Sequence, residues 1–239
     1  MKGLLVAIQF LTRLPTPRLS VSTPEFAASI RWFPVVGLIL GGFVAGVAWL
    51  GCRIDSWTGA LLALLAWVAL TGALHLDGLG DIADAAGAAH KGREDMRAVL
   101  ADPHVGSFGV VAIAIQLLTK LILLHALAER GLFLSLLLVP FVARMGPLAW
   151  TRLLPSLHEG LGAIFRDAVR PVDLGLWGIA LLAAAWFAPA LLAAPVLILL
   201  WSVWLRHRIG GLSGDGHGAG IEIVESALLL AVLLVEVWA

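Results

Sequence analysis

Residues 107–128 read SFGVVAIAIQLLTKLILLHALA, an apolar run whose one formal charge is Lys120. A helix needs about 20 such residues to cross a hydrocarbon core roughly 30 Å thick. Six further stretches read the same way: 32–52, 57–75, 131–154, 174–190, 191–205 and 223–238. The expected fold class is therefore all-α: a polytopic integral membrane helical bundle of about seven transmembrane helices. The number falls to six if 174–205 is one span kinked near Pro189 and Pro195. Composition agrees. Of 239 residues, 60% are hydrophobic and 13% charged, against about 45–50% and 25% in a soluble domain. Mean hydropathy is +0.97. These values exclude a soluble globular enzyme, a disordered chain and a nucleic-acid binder with a basic face. The single cysteine, Cys52, excludes a disulfide framework and any cysteine-based metal centre. The first ten residues are too short to span, and no small-residue cleavage site follows them. They read as an interfacial helix.

Cationic residues orient the chain by the positive-inside rule. Twelve fall in the N-terminal segment and in the loops after spans two, four and six; only Arg53 and Arg130 fall on the other side. Merging 174–205 into one span would weaken this bias to ten against four, so two short spans are preferred. The N-terminus is then expected on the cytoplasmic side. Residues 1–239 form a single transmembrane catalytic domain, with cytoplasmic catalytic loops 76–106 and 206–222.

Five of the nine aspartates lie between residues 77 and 102. Asp77, Asp81 and Asp84 are spaced i, i+4, i+7, within about 60° of one helical face. Bare carboxylates at this spacing repel one another, and a bound divalent cation removes the cost. Hard oxygen donors without cysteine suggest Mg²⁺, which keeps some waters and engages substrate phosphates. The other reading of the stripe is a solvated acidic face. A second patch, IGGLSGDGHGAGIEIVE at 209–225, holds six glycines between Gly210 and Gly220. It reads as a loop whose amides cradle phosphate, or as a flexible linker. Lys120 and Arg144 are intramembrane cations, suited either to an anionic substrate or to a structural ion pair. Lys91, Arg93 and Arg97 are candidates to hold phosphates.

The run His75–Asp84, HLDGLGDIAD, resembles the HLDGxxDxxD signature of the cobalamin synthase (adenosylcobinamide-GDP ribazoletransferase) family. Arg93 to Arg97, then Asp102, Gly106, Phe108 and Gly109, resemble that family's R…R…D…GxFG segment. Gly211 to Glu225 is similar to its GGxTGDxxGAxxEIxE segment. Ala85, Pro103 and Ser213 depart from the usual Gly, Ser and Thr. The resemblance implies Mg²⁺-dependent joining of α-ribazole (5′-phosphate) to adenosylcobinamide-GDP, with release of GMP and formation of adenosylcobalamin (5′-phosphate). Asp77, Asp81 and Asp84 would hold Mg²⁺, and Asp102 would be a further ligand or orient the nucleophile. Gly211, Gly214 and Gly218 would clamp phosphate, with Asp215 and Glu222 on a second metal or a ribose hydroxyl, while Arg93, Arg97 and Arg144 offset charge on GMP. Membrane lipid is an implied partner and nucleic acid is not; a homo-oligomer and contacts with other cobamide-assembly enzymes stay open. The rival enzyme class is a CDP-alcohol phosphatidyltransferase, but Asp77-Gly78 lacks the Ala-Arg pair of its motif. A transporter is a weaker rival, because no internal repeat is visible.

Overall fold

The described residues fold as helices, because backbone amides in an apolar surrounding must be satisfied within their own segment. The computed structural model describes residues 2–88, 92–157 and 161–238. In chain order the helices are α1 (Lys2–Leu11), α2 (Thr23–Ala28), α3 (Phe33–Gly51), α4 (Ser56–Thr71), α5 (Leu74–Ala88), α6 (Arg93–Leu100), α7 (Ser107–Glu129), α8 (Phe133–Ala143), α9 (Gly146–Leu153), α10 (Leu161–Arg166), α11 (Pro171–Phe187), α12 (Ala194–Arg208) and α13 (Gly214–Trp238). Among the described residues the one β pairing is an isolated bridge between Ser156 and Leu212.

The expected spans fall on helices, although 57–75 runs past the end of α4 into α5 and 131–154 covers both α8 and α9, and the expected count is met in part. Five segments are long and apolar enough to cross a membrane alone: Thr23–Gly51, Ser107–Glu129, Phe133–Leu153, Pro189–Arg208 and Gly214–Val237. The pair α4 and α5 makes a sixth if it is one span bent by 83°. The bend is built by two successive left-handed residues, Gly72 (φ 60°) and Ala73 (φ 59°). Helix α11, at 17 residues, is shorter than those five. The 174–205 region is two helices, separated where Ala188 turns to φ −143° and ψ 84° before Pro189.

Helix α7 shows why the bundle assembles. Val111, Ile115, Leu118 and Ile122 face outward, while Gln116, Lys120, Leu124 and Leu127 are buried. The apolar stripe is outside and the polar one inside, the arrangement expected where the surrounding solvent is lipid. Helix α13 is central, packing on α5, α7, α8, α9 and α12. Helix α3 approaches α8 so closely that a Cβ on Gly37 or Gly41 would strike the carbonyls of Pro140 and Leu137.

The segments expected on one side of the membrane meet at one end of the bundle. Arg31 and Arg170 converge on Asp173, at 3.2 and 2.7 Å. The Arg13 amide donates to Leu70 O, and Leu212 exchanges backbone bonds with Pro155 and Leu157. At the other end Trp57 stacks on His125, and Arg53 lies 4.4 Å over Trp49. Helix α1 packs on the start of α3 and buries Val6, Ala7 and Leu11.

Two expectations are corrected here. The stretch 206–222 is not a glycine loop: α12 runs to Arg208 and α13 starts at Gly214. Gly214, Gly216, Gly218 and Gly220 are therefore helical. Their low helix propensity, about 1 kcal/mol each against alanine, is offset by the close packing described below. Likewise 76–106 is largely helical, as α5 and α6.

Candidate active site

The acid stripe is on α5, whose side packs lengthwise on α13. His75 meets Gly218 and Gly78 meets Asp215, so the two helices run antiparallel. A Cβ on Gly78 would lie 2.9 Å from both Asp215 Cα and its carbonyl oxygen; one on Gly218 would lie 3.2 Å from His75 Cα. Small residues let the two backbones touch, as in membrane helix pairs generally. This contact carries Asp215, distant in sequence, to the stripe. The start of α13 is fixed by Ser213, whose Oγ accepts from the Gly216 amide at 3.0 Å. Serine performs here the capping role open equally to threonine, so that departure from the family pattern is neutral. Asp81, half-buried, is acted on by desolvation and by the charges of Asp215, Asp77 and Asp84. Asp77 is exposed at the rim.

Asp84 is held differently from the other two acids of its stripe. Its carboxylate accepts from the Gly106 amide at 2.7 Å and the Gly109 amide at 3.0 Å. It thereby satisfies two of the orphan donors that open α7 and meets the positive end of that helix. Asp102 shares a cleft with Asp84 and Phe108. Its carboxylate accepts from the His104 amide at 3.0 Å and pairs with His104 Nδ1 at 2.6 Å. The His104 hydrogen bonds hold the Asp102 carboxyl below its usual range. Arg93 and Arg97 fall on α6; their side chains, and Lys91, lie outside the described residues.

Arg144 and Glu222 are placed away from this surface. Lys120 Nζ pairs with Glu222 at 2.8 Å and Glu225 at 2.6 Å, and Arg144 Nη1 pairs with Glu225 at 2.8 Å. Gln116 donates to Glu222 and Ser226, and Lys120 lies 4.3 Å over the Trp67 ring. All four charges are buried. Two cations and two carboxylates balance, so the structural alternative accounts for the contacts of Lys120 and of Arg144 Nη1, while Arg144 Nε and Nη2 are buried without a hydrogen-bond partner. Arg144 does occupy a break, between α8 and α9, where its Nη1 also donates to Pro140 O at 3.0 Å. Arg144 and Glu222, expected on GMP charge and on a metal or ribose, are thus found in buried ion pairs rather than at the exposed rim with Asp77. Gly211 is buried against Pro155 O, and Gly214 and Gly218 line a cleft with Asp77 and Asp215. Neither Gly214 nor Gly218 belongs to a phosphate-cradling loop.

Among the described residues no three His, Cys, Asp or Glu side chains converge as a preformed metal cage. The donor set nevertheless suits Mg²⁺, which takes only one or two carboxylates with water and phosphate oxygens. Asp77, Asp81 and Asp215 are the acids that come near one another here, and Asp84 has lone pairs beyond its two amide bonds.

The chain matches the family described as Cobalamin-5-phosphate synthase over residues 3–233. The chain belongs to the cobalamin-5-phosphate synthase family. Relatives named adenosylcobinamide-GDP ribazoletransferase include that of Novosphingobium aromaticivorans, 58% identical over 100% of this chain and 98% of the relative. That of Thiobacillus denitrificans is 46% identical, over 96% and 94%. That of Brevibacillus brevis is 36% identical, over 100% and 99%. No solved structure matches the chain. As a member of the cobalamin-5-phosphate synthase family it is a transferase of cobalamin biosynthesis.

Sequence reading missed part of what this family member brings to the Asp77–Asp215 cleft. Its walls include Phe10, Phe33, Phe165 and His217. His217 lies inside the glycine patch but has no ligand-like spacing to another histidine. The phenylalanines come from three separate segments, so no local pattern links them.

Proposed function

We propose that the protein is a Mg²⁺-dependent enzyme joining α-ribazole, as its 5′-phosphate, to adenosylcobinamide-GDP. The observation that carries this reading is the meeting of Asp77, Asp81 and Asp84 with Asp215 across the α5–α13 contact. A ribose hydroxyl of the ribazole forms a bond to the phosphorus attached to cobinamide. The bond from that phosphorus to the bridging oxygen of GMP breaks, GMP leaves, and the hydroxyl proton is lost to solvent or a base. Such transfers need positioning and charge neutralisation more than covalent help. Bound Mg²⁺ supplies charge neutralisation at the diphosphate. Asp77, Asp81 and Asp215 would hold it, and Asp84 fixes the end of α5 against α7. Asp102, oriented by His104, would align the nucleophile. The charge asymmetry of the two ends supports a cytoplasmic site in the bacterial inner membrane, with the N-terminus inside.

The test is GMP release by purified, lipid-reconstituted protein given adenosylcobinamide-GDP and α-ribazole 5′-phosphate, with Mg²⁺ and then with EDTA. GMP matched by a cobalamin product, and lost on chelation, is expected. No GMP from folded, Mg²⁺-loaded protein would overturn the reading.

A further inference from the structure

The cleft below Asp77 and Asp215 has two kinds of wall. One is aromatic: Phe10, Phe33 and Phe165, with ring centroids 5.8–6.2 Å apart, come from α1, α3 and α10. The other is formed by His75 on α5 and His217 on α13. Both histidines are buried, and three of their ring nitrogens have no hydrogen-bond partner: His75 Nδ1 and Nε2, and His217 Nδ1. His217 Nε2 has only Thr151 Oγ1, at 3.4 Å. Buried polar atoms without partners are rare in native proteins and call for an explanation. A missing ligand supplies one, since both rings line a cleft that opens at the acid site.

The shape and chemistry of the cleft narrow the ligand. Its volume is about 130 Å³, below the roughly 150 Å³ apolar cavity that takes up benzene, so it seats one ring of a flat ligand whose remainder extends to the open side. Aromatic edges and faces favour a flat ring. A neutral imidazole offers one N–H donor and one acceptor, which suits a ring nitrogen carrying a single lone pair. A guanine edge, with several donors and acceptors, would be left largely unpaired against such apolar walls.

We infer that this cleft is the subsite for the bicyclic base of α-ribazole, with His75 or His217 donating to its free ring nitrogen and the phenylalanines packing its faces. The inference rests on the transferase reading above and adds the seat of one substrate. With the base held there, its ribose projects toward Asp77 and Asp215, where the phosphoryl transfer is proposed. His217 is then a specificity-determining residue.

Reconstituted wild type, His217→Leu, His217→Gln and Phe10→Leu would be compared for KM toward each substrate. Binding of free 5,6-dimethylbenzimidazole would be followed by calorimetry on the same samples. His217→Leu is expected to raise KM for α-ribazole 5′-phosphate about tenfold, or 1.4 kcal/mol. KM for adenosylcobinamide-GDP should stay within twofold. Base binding should weaken in parallel, and His217→Gln, which keeps a donor, should recover most of it. Phe10→Leu should give the same pattern and carries the test if His217→Leu does not fold. A rise in KM for adenosylcobinamide-GDP alone, or base binding unaffected by either substitution, would overturn the subsite. Wild type that binds the base in a His217-dependent way but releases no GMP would uphold the subsite while sinking the reaction.

Discussion

Asp81 stands where burial and three like charges meet, so its ionised form is the one that most needs a counter-charge. Asp81→Asn removes a donor and a repulsion together. The variant should insert, and melt no lower than wild type in detergent, yet lose Mg²⁺-dependent GMP release. Unchanged turnover with an unchanged Mg²⁺ requirement would remove Asp81 from the site. Arg144 calls for the opposite test. Its guanidinium is fully buried against Glu225, and removing one partner leaves the other charge uncompensated. Arg144→Met should destabilise the protein by about 3–5 kcal/mol. Arg144→Met with Glu225→Met should recover much of that, because Lys120 keeps Glu222 at 2.8 Å. Thermal unfolding in detergent reads both variants. The value of the acid stripe was legible in the sequence, because helical periodicity alone brings Asp77, Asp81 and Asp84 to one face. The pairing of Arg144 was not, since its partner lies 81 residues away.

The contact between α5 and α13 is the element that makes the site. Gly218 was readable as part of a phosphate-cradling patch, but the object it approaches was misread. It is the opposing helix backbone. Gly78→Val should therefore push α5 from α13, lowering the melting temperature and abolishing transfer together. Gly46→Ala in α3 is the control. A Cβ there meets nothing within 4 Å, so the substitution should leave activity intact and stabilise by up to about 1 kcal/mol through helix propensity. Equal loss from both substitutions would mean that α5–α13 proximity does not govern activity. The acid site is also tied to α7 by Asp84, whose two amide bonds join the C-terminal part of α5 to the first turn of α7.

The whole bundle separates its charges into two ends, and that division has a direct readout. With Cys52 replaced by Ser, cysteine would be introduced at Ile54, 76% exposed, or at Val105, 51% exposed. An impermeant maleimide should label the Ile54→Cys protein in intact cells and the Val105→Cys protein only after lysis. The reverse pattern would invert the orientation proposed for the chain. Only at this scale does the aromatic cleft exist: α1, α3 and α10 each contribute one phenylalanine over a floor made by α5 and α13.

The sequence by itself determined the helical class, the lipid-facing character, the segregation of cations and the acid stripe. Each of these depends on composition or on a period of about four residues, which the chain carries locally. Tertiary structure decided which polar residues serve the surface and which neutralise one another inside. It brought Asp215 to the stripe, paired Arg144 and Lys120 with Glu222 and Glu225, and turned the glycine patch into a helix. Those outcomes depend on contacts between residues tens of positions apart. In a low-dielectric interior an unpaired charge is costly, so packing, rather than local pattern, fixed the partner of each one.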